Sequence, residues 1–273
     1  MKRLFLVLLV LAAALVPAGV VAAAPTSDLV LSANPTRLAL RQCTSAFVKL
    51  GVTNQSTTAR YVDIGITPAA GLRTSPRVSS YVPASSTVYL DVEVYVGETT
   101  ADGTHRVRFE ALGTTSRLIV PVDVSAPATA RCIPRSAQTV TTTSEQLENA
   151  AVLALDGRSA SIWHTHFSPA PRSHLPQSIT VGLGGAYDVS ELSYLPRQDG
   201  GLNGTITTWT VFASTDGTTF AQVATGTWAG DATRKAATFS APGARYVRLL
   251  ATVGVADYAS ASEIVFYGRP AAG

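Results

Sequence analysis

Hydrophobic runs are scarce in this 273-residue sequence. The one long candidate, Leu4 to Val16, follows Lys2 and Arg3 and ends in small residues around Ala22, Ala23 and Ala24. It is shorter than the ~20 residues that a spanning helix needs and carries an Ala-rich cleavage pattern. The pattern predicts a secretory signal peptide over residues 1–24, cut after Ala23 or Ala24, and an extracellular chain with no membrane span.

Charge is sparse as well, at 14% of residues. The 21 basic residues lose Lys2 and Arg3 with the signal while the 18 acids stay, so the formal charge falls from +3 to +1. No basic cluster interleaved with aromatics is present, which argues against nucleic acid as a partner. There are only two cysteines, Cys43 and Cys132, and neither has a CxxC neighbour. An even count in an exported chain predicts one disulfide, against the alternative of two separate thiols.

Catalytic signatures are absent. No GxSxG occurs, and GLGG at Gly182 to Gly185 lacks the full dinucleotide fingerprint. His164, His166 and His174 have no carboxylate or thiolate at fixed spacing, so they match zinc poorly. Asp188, Glu191 and Asp199 show no sign of the facing pair that glycoside hydrolysis needs. The chain is read as not being an enzyme.

What is present is strand pattern. LVLSA, RLALR, AFVKLGVTN, RYVDIGI, TVYLDVEVYV, THRVRFEAL and RLIVPVDV are about seven short β-branched runs between Asp28 and Val124, without an amphipathic helical stretch. They predict an immunoglobulin-like β-sandwich over residues 25–132. The Pro, Ala and Ser-rich segment from Ser125 to Gln138 breaks the pattern and marks a boundary near Ile133. Alternation then resumes, and the Asp216-Gly217 turn suggests a hairpin, so residues 133–273 read as a second all-β sandwich of jelly-roll type.

One stretch of this second half, YLPRQDGGLNGTI from Tyr194 to Ile206, sets an arginine at a strand mouth behind a proline that cannot donate to a ladder, ahead of a glycine-rich loop. With ALDGRSASIWHTHF, PQSITVGLGG, STDGTTF, ARYVRLLA and ASEIVFYG, in order over roughly 130 residues, it resembles the discoidin, or coagulation factor V/VIII type C, domain. The resemblance is greatest to bacterial family 32 carbohydrate-binding modules. It implies a calcium-stabilised jelly roll with a shallow galactose-type sugar site made by loops, acting on a glycan or polysaccharide. The alternative is a protein- or envelope-adhesion module using the same loops.

Carried over residue by residue, the resemblance implies sugar contacts from His164, Phe167, Arg197 and Asn203, and from Glu148 with Glu145 as its rival. For Arg197 the bland reading is an ion pair with Asp199. The implied calcium ligands are the side chains of Asp156, Ser161 and Glu263 with the carbonyls of Leu153, Arg158 and Ser262. The donor chemistry suits calcium, which takes 6–8 hard oxygens. Phe167 stands where tryptophan is common, and Arg158 where Asp or Asn is common. Trp163, Trp209 and Trp228 are read as packing residues.

Overall fold

The computed structural model describes residues 28–126 and 130–272; the signal-peptide reading lies outside them. The first sandwich holds β1 (Leu29–Asn34), β2 (Leu38–Arg41), β3 (Ser45–Asn54), β4 (Arg60–Pro68), β5 (Leu72–Arg73), β6 (Arg77–Val82), β7 (Ser86–Val96), β8 (Gly103–Ala111) and β9 (Arg117–Ser125). One sheet runs β1-β3-β7-β5 and the other β2-β9-β8-β4-β6, the two-sheet arrangement of an immunoglobulin-like fold. Period two explains the layers: Val62, Ile64 and Ile66 of β4 point inward, while Tyr61 and Asp63, on either side of Val62, face solvent. Strands β5 and β6 were not among the seven expected runs, because β5 is two residues long and β6 carries polar residues at half its positions.

The second sandwich holds β10 (Arg131–Cys132), β11 (Thr139–Thr142), β12 (Trp163–His164), β13 (Gln177–Leu195), β14 (Ile206–Ser214), β15 (Ala221–Thr227), β16 (Lys235–Gly254), β17 (Ser260–Ala261) and β18 (Glu263–Pro270). Its main sheet runs β10-β18-β13-β16-β14-β15, with β11 on β13, and β12 pairs with β17. The core includes Trp163, Leu192, Tyr194, Ile206, Trp209 and Phe266. Trp228 stacks on Trp209 and Tyr194, with ring centroids 4.6 and 5.1 Å away, so the tryptophans are packing residues as expected. Among the described residues no helix is long and apolar enough to cross a membrane.

Cys43 and Cys132 are bonded, with 6.1 Å between their Cα atoms. Arg131 and Cys132 pair with Gly268 and Tyr267 of β18, so the bridge ties the first sandwich to the second. The boundary expected after residue 132 would assign this short strand to the first domain, whereas it pairs with β18 of the second. Further bonds cross the same junction. Tyr267 donates its hydroxyl to Gln42 O at 2.9 Å, and Arg41 pairs with Glu191 at 2.5 Å while lying 3.7 Å over the Tyr267 ring. Arg135 pairs with Glu263 and also donates to Cys43 O at 3.1 Å. Glu93 Oε1 accepts from Ser159 N and Oγ at 2.9 and 2.7 Å. These contacts hold the two domains in one orientation.

Candidate functional site

A depression of about 510 Å³ opens at the loop end of the second sandwich. It is bounded by Glu148, His164, Phe167, Arg197, Asp199, Asn203 and Tyr258, among others. The fold brings together all five expected sugar contacts, drawn from segments spread over 55 positions of sequence, between 148 and 203.

His164 ends β12, only 4% exposed. Its Nδ1 lies 2.7 Å from Thr165 O, and a carbonyl can only accept, so Nδ1 carries the proton. Burial pulls the imidazole pKa below its usual value, which keeps the ring neutral and leaves Nε2 an acceptor. The Phe167 ring meets this imidazole edge-on at 5.1 Å and stays 44% exposed, available as an apolar surface.

Arg197 does pair with Asp199: Nε donates to Oδ1 at 2.7 Å and Nη2 to Oδ2 at 2.5 Å. This fork orients the guanidinium and leaves Nη1, 3.5 Å from Asn203 O, at the depression. The hydrogen-bonded guanidinium holds the Asp199 carboxyl down at about 2, so the pair remains charged. The ion pair and the lining position therefore coexist. Asn203 is exposed, and its amide makes no hydrogen bond among the described residues. Gly204 has φ +83°, and a Cβ there would lie 2.7 Å from Ser260 Oγ; the loop needs glycine to approach β17 this closely.

Glu148 lines the depression and accepts from Gln146 Nε2 at 3.2 Å. Its rival Glu145 is occupied by Ala151 N at 2.7 Å, at the start of the short 3₁₀ turn over Ala151–Leu155.

Sequence reasoning missed Tyr258 as a lining residue. Its ring lies 5.1 Å from His164, and the Arg172 guanidinium lies over it at 5.0 Å. The preceding Ala256 and Asp257 both adopt left-handed φ, 59° and 63°, and Asp257 is fastened by His174 at 2.6 Å and Leu175 N at 3.3 Å. No motif in the chain encodes that turn. The remaining histidine of HTH, His166, contacts Pro169 O at 2.7 Å.

Of the residues named for calcium, Leu153 and Ser161 also line this depression. Asp156 Oδ2 accepts from Ser161 Oγ at 2.7 Å, and that hydroxyl is 3.1 Å from Arg158 O. Glu263, 2% exposed, has Oε2 on Arg135, while Oε1 is buried without a hydrogen-bond partner. Burial pushes the Glu263 pKa up, Arg135 pulls it down and nearby Asp156 raises it again. A buried carboxylate oxygen with no hydrogen-bond partner among the described residues, near enough to Asp156 to feel its charge, is what a hard cation would satisfy.

The F5/8 type C domain family matches residues 138–264. Galactose oxidase of Gibberella zeae is 39% identical over 120 residues, 44% of this chain and 18% of that protein. The A type blood N-acetyl-alpha-D-galactosamine deacetylase of Flavonifractor plautii is 37% identical over 139 residues, 50% of this chain and again 18% of that protein. The chain thus spans under a fifth of the length of these curated relatives. Among solved structures, CpGH89CBM32-5 from Clostridium perfringens, in complex with GalNAc-β-1,3-galactose, is 38% identical, with a TM-score of 0.47, covering 50% of this chain and 98% of that one. The family 32 module of NanJ from the same organism, in complex with galactose, is 36% identical, with a TM-score of 0.46, covering 51% and 98%. The C-terminal half of this chain carries an F5/8 type C (discoidin) domain.

Proposed function

We propose that this chain is a secreted, non-catalytic carbohydrate-binding protein whose discoidin domain holds a terminal galactose-like sugar of a glycan. The observation that carries the reading is the convergence, on one depression, of a neutral imidazole acceptor, an oriented guanidinium and two aromatic rings. Arg197 Nη1 and the Asn203 amide donate to ring hydroxyls, and His164 Nε2 and Glu148 accept from them. Phe167 takes the apolar C–H face, as aromatic rings do for such surfaces. The names of the two curated relatives, which specify galactose and N-acetylgalactosamine, support this sugar class.

The test is a glycan array probed with the mature chain and with Arg197→Ala. Binding to galactose-terminated glycans that the mutant loses supports the reading. Silence from the folded wild type would overturn it in favour of a protein or envelope partner.

Calcium belongs to the same proposal. Asp156, Ser161 and Glu263 would hold the ion by their side chains, and Leu153, Arg158 and Ser262 by their carbonyls. The bound ion would offset the charge of Asp156 beside the Arg135–Glu263 pair and tie the loop that leads into His164 to β18. Melting in excess calcium against a chelator tests this, because a ligand of the folded state alone raises the melting temperature. Identical curves would sink it.

A further inference from the structure

A second cavity, of about 470 Å³, lies between the sandwiches, and Ala160 lines both it and the sugar depression. One wall is the Asp156 to Ala160 loop; the other comes from the first domain, with Arg73 at the end of β5, Thr74 and Tyr95. Both cavities therefore border the same loop. Their relation is set by the disulfide and by the Arg135, Arg41 and Glu93 contacts described above, which leave the cleft walls little freedom to move apart.

The cleft is lined by two arginines and two carboxylates, and of these four only the arginine side chains lack hydrogen-bond partners among the described residues. Arg73 lies flat over the Tyr95 ring at 4.0 Å, and Arg158 is exposed on the facing loop. Neither guanidinium makes an ion pair or a side-chain hydrogen bond among the described residues. The two lining carboxylates keep their charge, but their hydrogen bonds tie them to neutral donors of the surrounding loops. Glu93 Oε1 accepts three hydrogen bonds, from Ser45 Oγ, Ser159 N and Ser159 Oγ. Asp156 uses Oδ1 on Arg158 N and Oδ2 on Ser161 Oγ. What remains is two uncommitted cationic forks, the group best suited to planar or tetrahedral oxyanions. Gly157, with φ +79°, makes the approach possible: a Cβ there would sit 3.2 Å from Tyr95 and 3.3 Å from Arg73 Nη2.

We propose that this cleft is a second subsite, taking an anionic group, a carboxylate or a sulfate ester, on the sugar adjoining the one held at His164 and Arg197. The inference rests on the sugar-binding reading. It makes the first domain a wall of the binding site, so the preferred ligand is an acidic oligosaccharide with a neutral galactose-type end.

The experiment is a titration of the full mature chain with three probes: galactose, a neutral galactosyl disaccharide, and that disaccharide carrying a sulfate ester or a carboxylate on its second sugar. The anionic disaccharides should bind about tenfold tighter than the neutral one, with the stronger gain naming the preferred group. Arg73→Ala should abolish that gain and leave galactose binding unchanged, and Arg73→Lys should restore part of it. Equal binding of neutral and anionic disaccharides, or a gain that survives Arg73→Ala, overturns the subsite while leaving the sugar depression standing. Absence of galactose binding in the wild type overturns both.

Discussion

Arg197 is gripped by Asp199 two residues further on, through two parallel hydrogen bonds that commit two of its five N–H groups to orientation and leave Nη1 at the sugar depression. A long flexible side chain ordered in advance loses less entropy when a ligand arrives. Asp199→Ala should therefore weaken galactose binding about tenfold without unfolding the domain, since the pair sits at the surface. Calorimetric titration of both proteins checks this; an unchanged dissociation constant would show that Arg197 orients itself.

The neutral state of His164 gives a pH dependence with a defined sign. Burial lowers its pKa in the fold below the ordinary 6.5, so as pH falls the unfolded chain takes up the proton first. This group costs no stability above about 6.5, and stability declines below it. Galactose affinity should hold at neutral pH and fall only lower, once the folded imidazole is protonated and Nε2 becomes a donor. Binding measured from pH 8 to pH 4.5 tests the order; affinity that rises on acidification would contradict it.

Phe167 offers a smaller stacking face than tryptophan. Phe167→Trp should tighten sugar binding severalfold, and Phe167→Ala should weaken it by roughly 1 kcal/mol, the scale of a lost aromatic contact. Tyr258→Ala should weaken it too, because the ring packs on His164 at 5.1 Å. Parallel titrations, with melting curves to show that the fold is kept, decide the matter.

The junction between domains should be costly to disturb. Arg135 and Glu263 are buried together, with side-chain exposures of 10% and 2%, and removing one partner of such a pair typically costs about 3–5 kcal/mol. Arg135→Ala should lower the urea midpoint accordingly, and Arg135→Lys should lower it less. A midpoint within error of the wild type would mean that water replaces the guanidinium at no cost.

Cys43 and Cys132 close a loop with a sequence separation of 89. In the chain-entropy account a crosslink of that span contributes on the order of 4–5 kcal/mol. The double substitution to serine should lower the melting temperature, and it should reduce any preference for anionic oligosaccharides more than the affinity for galactose, because it loosens the cleft and not the depression. Melting and titration of the same variant separate the two effects.

The local features of this protein were written in its sequence. Alternating β-branched runs announced both sandwiches, since period two needs nothing beyond the chain's own geometry. The resemblance of WHTHF and YLPRQDGGLNGTI to discoidin motifs pointed to His164, Phe167, Arg197 and Asn203, since such motifs are short and contiguous in the chain. The even cysteine count foretold the bond, but not that Cys132 would lie in a strand of the second sheet. Tertiary structure alone brought Tyr258 to His164 from 94 positions away, on a turn of two left-handed non-glycine residues. It likewise set Arg135 on Glu263 across 128 positions, and it laid Arg73 and Tyr95 of one domain against Gly157 of the other. The physical reason is the same in each case. Contacts between distant segments depend on how two sheets and their loops settle against one another, and no local periodicity or spacing carries that information.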